Sequence, residues 1–185
     1  MTHDPTSTRP CADTRYGAAD GTHPAIAEFC RQVGESLGNG ELADVQDRVA
    51  DALGGVLGTE DLLAPPHRRT RDDWYAKHVL YACPDHRFTL LALVWKPGQG
   101  TVVHGHTAWG AVGGYEGTPN VAVYACQELE DGRHEAVLTK DIRCKPGDLA
   151  TVRPGLSDVH RIYNDSDDIV ITLHAYGCDL VDDPD

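Results

Sequence analysis

The sequence has no apolar run long enough to cross a bilayer, and its polar, turn-rich residues 1–20 lack the apolar segment of a secretory signal. It also lacks an excess of positive charge. Lys and Arg number 16 against 29 Asp and Glu, a formal net charge of −13. The phosphates of a nucleic acid would be repelled, so that partner class is set aside, as is a membrane. The acidic clusters Asp165-Ser166-Asp167-Asp168 and Asp182-Asp183-Pro184-Asp185 read as solvated surface. No Cys-x-x-Cys pair occurs. Cys11, Cys30, Cys83, Cys126, Cys144 and Cys178 are scattered, which points to free thiols in a reducing compartment and not to a cysteine zinc site. A cytoplasmic protein is expected. Strands and helices do not alternate in βαβ fashion, and no segment repeats.

What is present is a set of placed histidines. His104 and His106 follow the turn Lys96-Pro97-Gly98, and His160 lies in Val159-His160-Arg161-Ile162-Tyr163-Asn164. A His-x-His pair on an extended segment puts both imidazoles on one face, because strand side chains alternate. A third histidine from a later strand closes a facial set of three nitrogens, which leaves three positions of an octahedral metal open. The pattern is that of a metalloenzyme.

At 185 residues the chain is long enough for one domain with a substantial core. Residues 1–22 read as a flexible N-terminal arm, 23–70 as a helical segment and 71–185 as a β barrel. In the helical segment Ile26, Phe29, Val33 and Leu37 keep helical spacing up to Gly38-Asn39-Gly40. Leu42, Val45, Val49 and Leu53 form a second stripe, expected to end near Gly54-Gly55. Beyond Pro65-Pro66 the period shortens. Strands are expected over 75–82, 87–95, 101–106, 110–115, 121–129, 135–140, 148–152, 159–163 and 169–176. Turn signals such as Asp131-Gly132 and Lys145-Pro146-Gly147 separate them. Many short strands at this spacing make a sandwich or closed barrel, with the helices covering one side. Residues 88–94 are apolar at every position but Thr89, so that strand is expected to be central or helix-covered.

Residues 98–117 resemble the first motif of the cupins, and 147–164, with Gly147-Asp148, Pro154-Gly155 and His160 to Asn164, resemble the second. Most cupins carry a metal-binding glutamate three or four residues past the His-x-His pair, where this chain has Trp109 and Gly110. A three-histidine site without that carboxylate is similar to the thiol dioxygenase branch, the cysteine and 3-mercaptopropionate dioxygenases of bacterial type. The run from Tyr75 to Tyr81 followed by residues 87–95 resembles the segment before their metal motif. Thr172-Leu173-His174-Ala175-Tyr176 resembles their Ser-x-His-x-Tyr triad. The likeness spans roughly residues 74–177. It implies a mainly β fold, a cupin double-stranded β-helix (jelly-roll) barrel with the N-terminal helical segment packed on it.

The resemblance implies that His104, His106 and His160 hold Fe(II), with Ni(II) or another divalent transition metal as the alternative. Thr172, His174 and Tyr176 lie at i, i+2 and i+4 and so share a strand face. The implied relay has Thr172 supporting His174, and His174 orienting the Tyr176 hydroxyl to donate to substrate or dioxygen. Several positions depart from the family. Where mammalian-type enzymes have a cysteine that cross-links to the tyrosine, counting places Ala111, so no thioether is expected there. Gly105 replaces an acidic residue often found between the first two ligands. The carboxylate-binding arginine is replaced by Lys77, the candidate substrate anchor as a point charge. Nothing basic follows Tyr176. Arg161 is expected to point away from the metal face; Arg68, Arg69 and Arg71 to form a solvated loop, with a loop over the cavity mouth as the alternative; and Trp109 and Tyr163 to pack the barrel wall, with lining the pocket as the alternative. The expected activity is oxidation of a small thiol, such as cysteine or 3-mercaptopropionate, to a sulfinate with O2, by a monomer or homodimer. The alternatives are a tailoring cupin oxidase acting on cysteine in specialised metabolism, another metal-cupin reaction such as isomerisation, and a cupin that binds metal or ligand without turnover.

Overall fold

The computed structural model describes residues 23–37, 42–85 and 87–177. The arm at 1–22, the Gly38-Asn39-Gly40 stop, the side chain of Leu42, Cys11, Cys178 and the acidic tail lie outside the described residues. Two helices come first. Helix α1, Pro24–Ser36, begins with proline in its first turn, and His23 Nδ1 accepts a hydrogen bond from the Ala25 amide at 3.1 Å. Ile26, Phe29, Cys30 and Val33 are buried along one stripe. Helix α2, Leu42–Leu57, runs straight through Gly54-Gly55, where the sequence pattern ends it. The cause is tertiary. Each glycine costs about 1 kcal/mol relative to alanine. The extra turn, however, buries Val56 and Leu57, each worth about 1.5–3 kcal/mol.

Nine strands follow, in the order expected: β1 (Ala76–Ala82), β2 (Thr89–Trp95), β3 (His104–His106), β4 (Gly110–Glu116), β5 (Asn120–Glu128), β6 (His134–Arg143), β7 (Leu149–Val152), β8 (Gly155–Tyr163) and β9 (Val170–Tyr176). One sheet has the order β1-β2-β9-β4-β7 and the other β3-β8-β5-β6. All named pairings are antiparallel. From β2 to β5 successive strands alternate between the sheets, and the four-strand orders β2-β9-β4-β7 and β3-β8-β5-β6 face one another. This is the jelly-roll arrangement of a double-stranded β-helix.

The five-stranded sheet is buried on both faces. Leu90, Ala92, Val94, Ile171, Leu173 and Ala175 join the helices in one core. Leu91, Leu93, Trp95 and Val170 turn inward, with Tyr75 and Ile162, to form a second core between the sheets. All seven residues of β2 are buried, as a central, helix-covered strand requires. Cys30, Cys83, Cys126 and Cys144 are free thiols. Among the described residues no helix is long and apolar enough to cross a membrane.

Leu53 is fully buried between α2 and the sheet. Leu53→Ala should therefore lower the unfolding free energy by about 2–5 kcal/mol in a urea titration. A loss below about 1 kcal/mol would show that the helices contribute little to holding the sheet.

Candidate metal centre

The first two histidines sit on a very short strand for a local reason. The Thr101 amide donates to the Ile162 carbonyl at 2.8 Å, but Val102 and Val103 then bulge into solvent, and regular pairing resumes only at His104. From there His104 pairs with His160 across β3 and β8. Gly105, between the two ligands, lies against the opposite chain: a Cβ there would stand 2.6 Å from the Gly155 carbonyl oxygen. A side chain at that position would push β3 off β8 and spread the histidines.

The three imidazoles converge. Ring centroids are 5.0 Å apart for His104 and His106, and 4.8 Å for His160 with each of the others. One ligand nitrogen from each lies within 4.8 Å of the rest. The His104 Nδ1–H donates to the Val102 carbonyl at 3.0 Å, which leaves its Nε2 as a lone pair. His160 is hydrogen-bonded to the Asp158 backbone, and its Nε2 is buried without a partner. Both ring nitrogens of His106 are buried and unpartnered. An unsatisfied buried polar group costs about 1–3 kcal/mol, and such groups collected at one point fit a ligand that accepts lone pairs. A divalent transition metal is that kind of ligand, and neutral imidazole suits it. Burial, and then the neighbouring histidines, push His106 and His160 each down to about 4, so both are neutral near pH 7.

The triad residues meet as the strand period requires. The Thr172 hydroxyl lies 2.8 Å from His174 Nε2, and His174 Nδ1 lies 3.0 Å from the Tyr176 oxygen. His174 is buried, and desolvation pushes it down to about 3. The Tyr176 ring stacks on His106 at 6.0 Å between centroids, which joins the triad to the histidine cluster. Gly110 makes that stack feasible, since a Cβ there would lie 2.6 Å from Tyr176 Cδ1. Gly110 also pairs with Tyr176 across β4 and β9, whereas Ala111 faces the helices. The position five residues past His106 is thus not the one that faces the tyrosine; its neighbour Gly110 is. Neither residue carries a thiol.

Lys77 lines the same cavity, of about 980 Å³, whose deeper wall includes His104, His106, His174 and Tyr176. Leu91, Leu93 and Ile162 supply its apolar side. The expected basic loop is split. Arg68 pairs with Glu116, whereas Arg69 and Arg71 reach the cavity. Arg71 is paired with Asp73 at 2.7 Å. Among the described residues the Arg69 guanidinium and the Lys77 ammonium have no ion pair. Arg161 turns away from the histidines, donates to the Thr101 carbonyl and lies 5.0 Å over the Tyr163 ring. Trp109 packs with the helix-side core as expected. Tyr163 does not pack the wall: it is half-buried, and its hydroxyl donates to Asp141 at 2.7 Å. Trp95 is the residue that sequence reading missed. Its indole N–H donates to Thr172 Oγ1 at 2.9 Å from the neighbouring strand, a pairing no local pattern announces.

No protein-family model matches the chain. Several solved structures are similar to it. A Thermus thermophilus protein is 20% identical over 60% of this chain and 89% of that one, with a TM-score of 0.47. An RmlC-like cupin of Desulfovibrio desulfuricans is 16% identical over 64% and 94%, with a TM-score of 0.44. A sugar phosphate isomerase of the cupin superfamily from Silicibacter pomeroyi is 19% identical over 50% and 52%, with a TM-score of 0.39.

The histidine cluster generates two tests. Single substitution of His104, His106 or His160 by alanine should remove most bound metal while circular dichroism stays unchanged. Full metal occupancy in all three variants would refute the cluster as a metal site. The second test concerns acid. In the metal-free protein the folded state protonates His106 and His160 only near pH 4, below the ordinary histidine value of 6.5. The unfolded chain therefore binds more protons in that window, and stability should fall as the pH drops from about 6.5 toward 4. Urea midpoints followed from pH 7 to 4.5 measure this. A flat midpoint would mean that the rings are solvated.

Proposed function

We propose that the protein is a non-heme, metal-dependent dioxygenase that oxidises the sulfur of a small thiol, such as cysteine or 3-mercaptopropionate, to a sulfinate. The observation that carries this reading is the junction of two devices. A hydrogen-bonded Thr172–His174–Tyr176 chain ends on a ring stacked against the three-histidine cluster. A binding cupin has no need of a buried, fully paired polar chain of this kind at its metal. Iron is the metal proposed, with nickel or another divalent ion as the alternative; three neutral imidazoles suit each of them.

The balance is R–SH + O2 → R–SO2⁻ + H⁺. Both oxygen atoms go to sulfur, which loses four electrons as dioxygen gains four, and no further reductant enters. When bound, the metal supplies one coordination sphere in which thiolate and dioxygen are held close together. The chain's own residues do the rest. His104, His106 and His160 offer lone pairs on one side only. Leu91, Leu93 and Ile162 keep that side of the cavity apolar. Tyr176 places a phenol beside His106. Lys77 offers an ammonium to the substrate carboxylate, whose desolvation needs a cation. One observation favours a larger thiol over free cysteine: the cavity, at about 980 Å³, exceeds what a small amino acid fills, and Arg69 and Arg71 line it as well.

The test is oxygen consumption by Fe(II)-loaded protein on a panel of cysteine, 3-mercaptopropionate, cysteamine and an acidic peptide thiol such as glutathione. One thiol at least should drive uptake of one O2 per sulfinate formed. No thiol-dependent uptake at full metal occupancy would return the protein to the binding class. Within the same panel Lys77→Met should raise KM for carboxylated thiols by about ten-fold with little change in kcat, and leave cysteamine unaffected. Equal KM values for every carboxylated thiol would place the anchor elsewhere.

A further inference from the structure

We propose that Trp95 fixes the direction of the hydrogen-bond chain through Thr172 and His174, so that Tyr176 serves the site as a hydrogen-bond donor and never passes its proton to His174. Trp95 is a positioning residue in this scheme, acting through Thr172. The catalytic consequence rests on the dioxygenase reading above; the direction of the chain does not.

The argument is one of donors and acceptors. An indole N–H can only donate. At 2.9 Å from Trp95 Nε1, Thr172 Oγ1 is therefore an acceptor. Among the described residues its other partner is His174 Nε2, at 2.8 Å. A hydroxyl proton aimed at Trp95 would face another proton, so it points at His174 Nε2. That nitrogen then accepts, and a neutral His174 carries its proton on Nδ1. Nδ1–H donates to the Tyr176 oxygen at 3.0 Å. The phenolic proton of Tyr176 is thereby left for an acceptor other than His174. In the reverse direction His174 Nε2–H would donate to Thr172, and the buried Thr172 proton would meet only the indole N–H. His174 cannot take up a second proton at modest cost, because its ring is buried among the other histidines.

Trp95 is held firmly enough to impose this. It is fully buried and its ring lies 4.3 Å from that of Tyr75. The Asn164 amide donates to its carbonyl at 3.1 Å, and to the Asp168 carbonyl at 2.8 Å. The link explains a buried asparagine at the end of the second histidine motif: it ties the strand that carries His160 to the residue that orients Tyr176.

The experiment reads the tautomer directly. Protein labelled with 15N-histidine and loaded with zinc, which is redox-silent, should show a one-bond proton coupling at Nδ1 of His174 and none at Nε2. Thr172→Ser, which keeps the hydroxyl, should keep that signature. Thr172→Val, which removes the donor to Nε2, should give a mixture of tautomers. Trp95→Phe should populate the Nε2–H form and lower kcat by about ten-fold with KM little changed. Wild-type His174 protonated at Nε2 overturns the direction outright. A Trp95→Phe protein with one wild-type tautomer and wild-type kcat reduces Trp95 to packing. If that variant does not fold, the wild-type spectrum and the Thr172→Val pair decide. An Nδ1–H signature in a protein that oxidises no thiol would uphold the direction and sink the reaction instead.

Discussion

β9 lies in the middle of the five-stranded sheet, and its two faces do different work. Ile171, Leu173 and Ala175 face the helices, while Thr172, His174 and Tyr176 face the interior. Because the side-chain period of a strand is two, a slip of one residue would exchange the faces completely. It would bury three polar groups against α1 and α2 and turn isoleucine, leucine and alanine toward the histidines. The helical segment is therefore more than a cover. By demanding an apolar outer face it pins the register of β9, and through that register it places the triad. The fold and the site thus depend on one constraint, the double burial of a strand that is apolar on one side only.

The same constraint explains the polar economy of the interior. Each buried group of the triad has its partner, from the Trp95 indole through Thr172 and His174 to Tyr176. The orphaned imidazole nitrogens of His106 and His160 sit on the opposite wall, on β3 and β8. A folded chain tolerates few such groups, and here they are gathered where one ion can meet them. Burial also keeps the His106 and His160 imidazoles neutral, the form a metal binds, so the desolvation that makes these rings costly is what fits them to be ligands.

Much of this was legible in the sequence, for reasons that can be named. Turn residues marked the nine strands, because glycine, proline and aspartate punctuate chains of short strands. The triad was singled out by its resemblance to a Ser-x-His-x-Tyr motif, and its shared face followed from the i, i+2 and i+4 spacing of a strand, which needs no tertiary knowledge. Other features depended on pairing, which sequence spacing does not carry. Trp95 meets Thr172 only because β2 and β9 are neighbours in the sheet. Gly110, and not Ala111, faces Tyr176 because of the β4–β9 register. The end of α2 was misplaced because burial of Val56 and Leu57 outweighed two glycines. Which of Arg68, Arg69 and Arg71 would line a cavity mouth and which would be solvated also depended on pairing: Arg68 meets Glu116 and Arg71 meets Asp73, while Arg69 and Arg71 line the cavity.

The register also says how an acidic thiol would have to lie. Lys77 pairs with Leu93, and Leu93 with Thr172, so the lysine stands in the row of the triad threonine, two strands away. At about 4.8 Å per strand the backbone separation is about 10 Å. A thiol as short as cysteine, with its sulfur at the histidines, would not reach the backbone of β1 with its carboxylate, so the long Lys77 side chain would have to span the gap over Leu93. An arginine in this place would offer a rigid fork of fixed reach; lysine offers a mobile point charge. That difference favours tolerance in chain length over tight selection of one substrate. Arg69, without an ion pair among the described residues, lines the same cavity and, on the proposed reading, would meet a carboxylate carried beyond the reach of Lys77. In a chain of net charge −13, cations that have no ion pair among the described residues and share one cavity are the groups with the most to gain from an anionic ligand.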